Sequence, residues 1–215
     1  MRLIRLVSLA LAALVSLSIP ARATTVVRQG VDSLTDASDI VIRGVVERVE
    51  GHAEIQGQPF RLARVRVAET LAGSAPSVVA VRLPGGAALD GTPRVALGVP
   101  EWIAGDEVVL FLTRVPPGIA QRPSKPAGGV HVEARGRVAA ATGPPAAEQW
   151  MPIALALGAY RVERANGVVT AVHDPQARGL AVAGALPTDG DAPDSIELTA
   201  LTKRVTSRRA QQGKP

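Results

Sequence analysis

From Ile40 to Glu50 the chain reads IVIRGVVERVE, placing Ile40, Ile42, Gly44 and Val46 on one side of an extended backbone and Val41, Val45 and Val49 on the other. Apolar residues on both sides predict a strand buried on two faces or bent by a bulge, with Gly44 as the place for the bend. FRLARVRVAETL, 60 to 71, is different: Ala63, Val65 and Val67 alternate with Arg64 and Arg66, a period of two with one wet face. SVVAVRLPGG, 77 to 86, repeats that alternation through Val79, Val81 and Leu83, then must turn at Pro84, Gly85 and Gly86. A brief strand is expected over Arg94 to Val99. After a turn at Gly105 and Asp106, the unbroken apolar run Val108 to Leu112 predicts a central strand.

The pattern lapses between 116 and 147, where PPG, RPSKPAGG and TGPPAA surround GVHVEARGRV, which is expected to form a hairpin or edge ribbon within an elaboration of the fold. Strand propensity returns at Ile153 to Arg164 and at Val168 to His173, and Asn166-Gly167 between them predicts a tight hairpin turn. Near the start, VDSLTDASD, 31 to 39, predicts one short helix or turn. Near the end, DSIELTALTKRVTSRR places Ile196, Ala200, Leu201 and Val205 at helical spacing, so an amphipathic helix is expected behind an Asp194 or Ser195 cap.

Charge changes this picture less than the total implies. The chain has 215 residues and a formal charge of +5. Arg2, Arg5 and Arg22 lie at one end, and Lys203, Arg204, Arg208, Arg209 and Lys214 at the other. Between 24 and 202 there are 16 basic and 19 acidic residues, so the body is mildly acidic and nucleic acid is not an expected partner. Arg64 and Arg66 also stand without an aromatic neighbour expected on their own side.

MRLIR, the apolar run LVSLALAALVSLSIP and ARA together read as a secretory signal peptide cleaved after Ala23. The apolar run is too short for the roughly 20 residues that span a bilayer, and no transmembrane anchor is expected after cleavage. The expected location is the periplasm or the outside of the cell. Without cysteine, neither a lipid-modified Cys nor a disulfide is available, and stability must come from core burial. The expected organisation is a signal peptide over 1–23, a β-barrel domain over 24–180 carrying the 116–147 insertion, and an acidic loop, helix and basic tail over 181–215.

Candidate chemistry is sparse. None of His52, His131 and His173 lies in a zinc-binding pattern, and no cofactor or metal is implied. His173 beside Asp174 is the pairing in which a carboxylate could orient an imidazole, provided Asp174 lies in a turn, because neighbours on a strand face opposite ways. A cysteine nucleophile, a G-x-S-x-G elbow and a phosphate-binding loop are all missing. Asp32, Asp36 and Asp39 would gather on one helix face, where capping is expected ahead of a cation site. Trp102 and Trp150 offer rings either for a partner or for covering a core. Arg204, Arg208 and Arg209 either contact a partner or acidic membrane surface, or simply complement a helix C-terminus.

As a set, SLTDASDIVIRGVVERVE, FRLARVRVAETLAG, SVVAVRLPGG, GVPEWIAGDEVVLFLTR and GAYRVERANGVVTAV resemble an uncharacterised family of exported bacterial proteins. The matching positions are Ser38, Asp39, Ile40, Val41, Gly44 and Val46, then Val65, Val67, Glu69, Leu71 and Gly73, then Arg82 to Gly86, and Gly105 to Leu112. The strand order is also similar to the OB-like barrel of netrin-type and metalloprotease-inhibitor domains. Those inhibitors act through an N-terminal cysteine that this chain lacks, so their mechanism does not carry over. The expectation is an all-β, OB-like barrel of about five strands with an extra ribbon and a C-terminal helix. Functionally it is expected to be an exported binding or interaction module without catalytic activity, its partner another secreted or cell-surface protein; the alternative is a secreted hydrolase or protease-associated protein.

Overall fold

The computed structural model describes residues 29–55, 58–88, 91–115, 148–178 and 194–213, with side chains described outside 51–55 and Arg178. The expected signal peptide, the 116–147 insertion with its ribbon and His131, the acidic loop up to 193 and the side chain of His52 lie outside these described parts.

Helix α1, Val31–Ala37, precedes strands β1, Ile40–Ile55, β2, Gln58–Ala72, and β3, Val78–Pro84. The short β4, Gly86–Ala87, pairs with β5, Pro93–Arg94, and β6, Glu107–Arg114, and β7, Gln149–Pro152, follow. A 3-10 turn over Leu155–Gly158 leads into β8, Ala159–Ala165, β9, Val168–His173, and the one-turn helix α2, Pro175–Arg178. β10, Ser195–Glu197, and helix α3, Leu198–Gln212, complete the described chain.

Five strands close on themselves. β1 pairs with β2, β2 with β3, β3 with β7, β7 with β6, and β6 again with β1, all antiparallel except β3 and β7. The parallel seam holds only two residue pairs, Ala80 with Gln149 and Val81 with Trp150, which makes the ring partial. The β8–β9 hairpin and β10 extend the sheet beyond β6. This is the all-β architecture expected: a ring of five strands, an added ribbon and a C-terminal helix.

Both faces are buried over Ile40 to Ile42 of β1 and over the unbroken apolar run Val108 to Leu112 of β6. Ile40, Ile42, Val46, Val108, Leu110 and Leu112 fill the ring together with Ala63, Val65, Val79, Val81 and Leu83. Val41, Val109 and Phe111 point the other way, into a second core with Leu34, Tyr160, Ala171, Leu198, Leu201 and Val205. Helices α1 and α3 contribute to that second core, so one side of the ring is covered.

Bulges change what simple alternation predicts. Gly44 does lie at a register shift, and a Cβ there would come within 2.5 Å of the Arg66 carbonyl oxygen. Glu47 is extra in a second bulge, because Val46 pairs with Val65 while Arg48 pairs with Arg64. Val49 consequently packs against the ring core rather than sharing the outward face with Val41.

Four expectations need correction. The Arg94 to Val99 stretch supplies only a two-residue bridge, after which Ala96, Val99 and Trp102 turn into the ring core and plug its end. The Ile153 to Arg164 strand is broken by left-handed Ala154 and Leu155 and by the 3-10 turn. Helix α3 begins at Leu198, without a side-chain cap, because Ser195–Glu197 is drawn into pairing with β9. Capping also fails for α1, whose N-cap is Gly30. The Asn166-Gly167 turn is as expected, with φ of 52° and 78°.

Candidate functional site

On the side of the ring away from the helices, the outward residues follow from register. Since Ala63 and Val65 point inward, Leu62, Arg64 and Arg66 point outward from β2. On β3 the outward residues are Val78, Ala80 and Arg82, paired with Arg66, Arg64 and Leu62. The Glu47 bulge brings Arg48 and Glu50 of β1 to the same face, opposite Arg64 and Leu62. Gln149 of β7 completes it: its Oε1 accepts from Arg82 Nε at 3.1 Å and also from Nη2.

Short Ala80 therefore lies between Arg64 and Gln149, with longer side chains around it. Arg48 Nε is 2.5 Å from Glu50 Oε1, Arg64 Nε 3.7 Å from the same oxygen, and Arg66 Nε 3.2 Å from Glu47 Oε1. The Arg82 guanidinium covers the Phe60 ring at 4.8 Å from its centroid, and burial pushes that guanidinium below its ordinary pKa. Phe60 thus does share the face of Arg64 and Arg66, contrary to expectation, but it is only 4% exposed.

The expected site residues lie elsewhere. Trp102 and Trp150 are 4% and 1% exposed and belong to the ring core, so neither ring offers a contact surface, although Arg114 packs 5.4 Å from the Trp150 centroid. The basic tail is engaged as well. Arg204 forks onto Asp32, Arg208 onto Asp36, and buried Arg209 donates to the Ser38 carbonyl. Asp32 and Asp36 are therefore partners of helix α3, while Asp39 accepts from Thr113 Oγ1 and the Arg114 amide. Among the described residues, no group of three His, Asp or Glu is placed to hold a metal ion.

His173 and Asp174 end up buried rather than in a cleft. The His173 ring stacks on Tyr160 with centroids 4.0 Å apart and is 2% exposed. Asp174 lies after β9, where its Oδ1 accepts from the Gln176 amide and its Oδ2 lies 3.9 Å from Arg161 Nη2. Burial raises the Asp174 pKa against that amide and the Arg161 charge. Two shallow grooves, of about 420 and 400 Å³, are lined respectively by Arg43, Glu69 and α3, and by Asp39, Ser74, Arg114 and Trp150; neither includes His173 or Asp174. At Glu107, burial works against ionisation, but hydrogen bonds and charge from Arg164 and Arg43 outweigh it and hold the carboxyl below its ordinary value.

No family model, curated protein or solved structure matches the chain. Arg64 and Arg66 face outward as alternation predicts, whereas Arg48 does not follow from it, because alternation alone assigns Arg48 to the inside once Val46 is inside. Arg82, between inward Val81 and Leu83, adds a third outward arginine on the neighbouring strand.

Proposed function

We propose that the protein is an exported, non-catalytic interaction module that holds another exported or cell-surface protein against the outer face of β1, β2, β3 and β7. The reading is carried by one observation: among the described residues, α1, α3 and the second core cover the ring on its β1–β6 side, and no helix packs on the outward residues of its β2–β3 side. The ring order, with the parallel β3–β7 seam, is consistent with an OB-type barrel, in which the strand 2–3 face is a frequent ligand surface. That support is by analogy of fold. The chain leaves β6 for the 116–147 segment and returns beside this face, where Arg114 Nε lies 2.6 Å from Glu148 and the Val115 amide donates to the Gln149 carbonyl. The hydrolase alternative draws on His173 and Asp174, whose burial keeps solutes from both.

The test is capture of partners from the exported fraction by the chain starting at Thr24. Ala80→Trp fills the low centre of the face and is expected to abolish capture, whereas Lys203→Ala, on exposed α3 surface, preserves it. Equal capture by the wild-type and Ala80→Trp proteins contradicts the reading. Truncation before Lys203 is unsuitable because it removes buried Val205 and Arg209.

A further inference from the structure

Arg48 and Arg64 stand directly opposite each other in the β1–β2 register. Like charges in that position oppose strand pairing, and here a single carboxylate, Glu50, reaches both. The arrangement exists because of the Glu47 bulge. Without the extra residue, Val46 opposite Val65 would place Arg48 inside the ring; with it, Arg48 turns out beside Arg64. Bulges frequently re-aim a side chain next to a functional surface.

The resulting face carries Arg48, Arg64, Arg66 and Arg82 against Glu47 and Glu50, an excess of positive charge on a body with more acidic than basic residues. Apolar surface separates the arginines: Leu62, Ala80 and Val78, the last 40% exposed. The side chains of Arg48 and Arg66 are 57% and 65% exposed, so both remain accessible to a partner.

We infer that this face binds an extended acidic polypeptide segment, its carboxylates meeting Arg48, Arg64 and Arg66 and its apolar side chains resting on Leu62, Val78 and Ala80. The inference rests on the interaction-module reading above and names the chemistry of its partner. A polypeptide fits better than a nucleic acid because the one aromatic ring on the face, Phe60, is buried beneath Arg82 and leaves no platform for a base. The two glutamates would also repel a densely charged phosphate chain, whereas a segment mixing acidic and apolar residues can place carboxylates selectively. Arginine suits the task because its planar fork accommodates a carboxylate through paired hydrogen bonds.

The probe is a labelled peptide of mixed Glu and Leu, compared with matched Gln/Leu and Lys/Leu peptides on the whole chain from Thr24. The Glu/Leu peptide is expected to bind at least about tenfold more tightly than either, and to weaken as salt rises from about 50 mM to about 500 mM. Arg48→Gln combined with Arg64→Gln is expected to weaken it about tenfold with no loss of thermal midpoint, since it removes a repulsive pair; Lys203→Gln changes nothing. Arg66→Gln provides an independent variant should the double substitution fail to fold. Equal affinity for Glu/Leu and Gln/Leu overturns the inference, as does a single-stranded oligonucleotide that binds more tightly than the Glu/Leu peptide. If Ala80→Trp still abolishes partner capture while the peptides show no charge preference, the partner chemistry is wrong and the interaction face stands. Unaffected capture by Ala80→Trp removes both.

Discussion

Arg204 holds Asp32 in a two-point fork, with Nε 2.7 Å from Oδ1 and Nη2 3.1 Å from Oδ2, across a sequence separation of 172 residues. One turn further along both helices, Arg208 meets Asp36 in the same way. The basic tail is therefore the other half of the acidic helix near the N-terminal end of the described chain. Because the Arg204 and Asp32 side chains are 34% and 28% exposed, a double-mutant cycle with Arg204→Gln and Asp32→Asn should give a coupling of about 0.5–1 kcal/mol. That coupling should shrink in high salt. Additive single effects, with no coupling at low salt, would show that the fork does not hold in solution.

Apolar packing should matter more to α3 than its ion pairs. Leu201 and Val205 are fully buried in the second core beside Leu34 and Phe111. Leu201→Ala is expected to cost about 2–5 kcal/mol in a denaturant titration, because the cavity it leaves lies between a helix and a two-sided strand. A cost under 1 kcal/mol would mean that α3 lies only loosely on the sheet.

Gly44 is required by closeness of approach. A methyl group there would meet the Arg66 carbonyl oxygen at 2.5 Å and Val65 Cγ1 at 2.8 Å. Gly44→Ala should therefore destabilise by about 1–3 kcal/mol, since two paired strands must move apart. Calorimetry or denaturant unfolding reads this directly, and a neutral or stabilising Gly44→Ala would place the bulge elsewhere.

At Asp174, burial favours the neutral acid, so the folded state retains the proton to higher pH than the unfolded chain. The sign follows: this group's contribution is most favourable below the ordinary carboxylate range and is lost as pH rises through its folded-state pKa. Asp174→Asn keeps an acceptor for the Gln176 amide and removes the buried charge. It should raise the thermal midpoint at neutral pH, with the gain fading towards about pH 3. A lower midpoint at neutral pH would show that the Arg161 contact outweighs the cost of burial.

Strand identity was legible wherever one physical constraint ruled. The Val108 to Leu112 run can only be buried on both sides, and Asn166-Gly167 accepts the positive φ of a tight turn better than other residue pairs. The bulge at Gly44 was legible from the glycine, but the one at Glu47 was not, and it decides which way Arg48 and Val49 point. The two tryptophans illustrate a different ambiguity: a ring flanking a strand serves equally to bind or to plug, and only the return of the 95–103 segment into the ring settles Trp102 as a plug. Asp32 with Asp36 and Arg204 with Arg208 share a spacing of four, a match that was visible in the sequence. Its meaning was not, because nothing local brings the two helices together.

The most direct test of the interaction face is site-specific photocrosslinking in the exported fraction, with the crosslinking side chain placed at Val78 or at Thr206. Val78 is exposed on the arginine face, and Thr206 is exposed on α3 on the covered side. The account predicts one discrete partner crosslinked from Val78 and lost on adding Ala80→Trp, with none from Thr206. Crosslinking of the same partner from Thr206 but not from Val78 would contradict it.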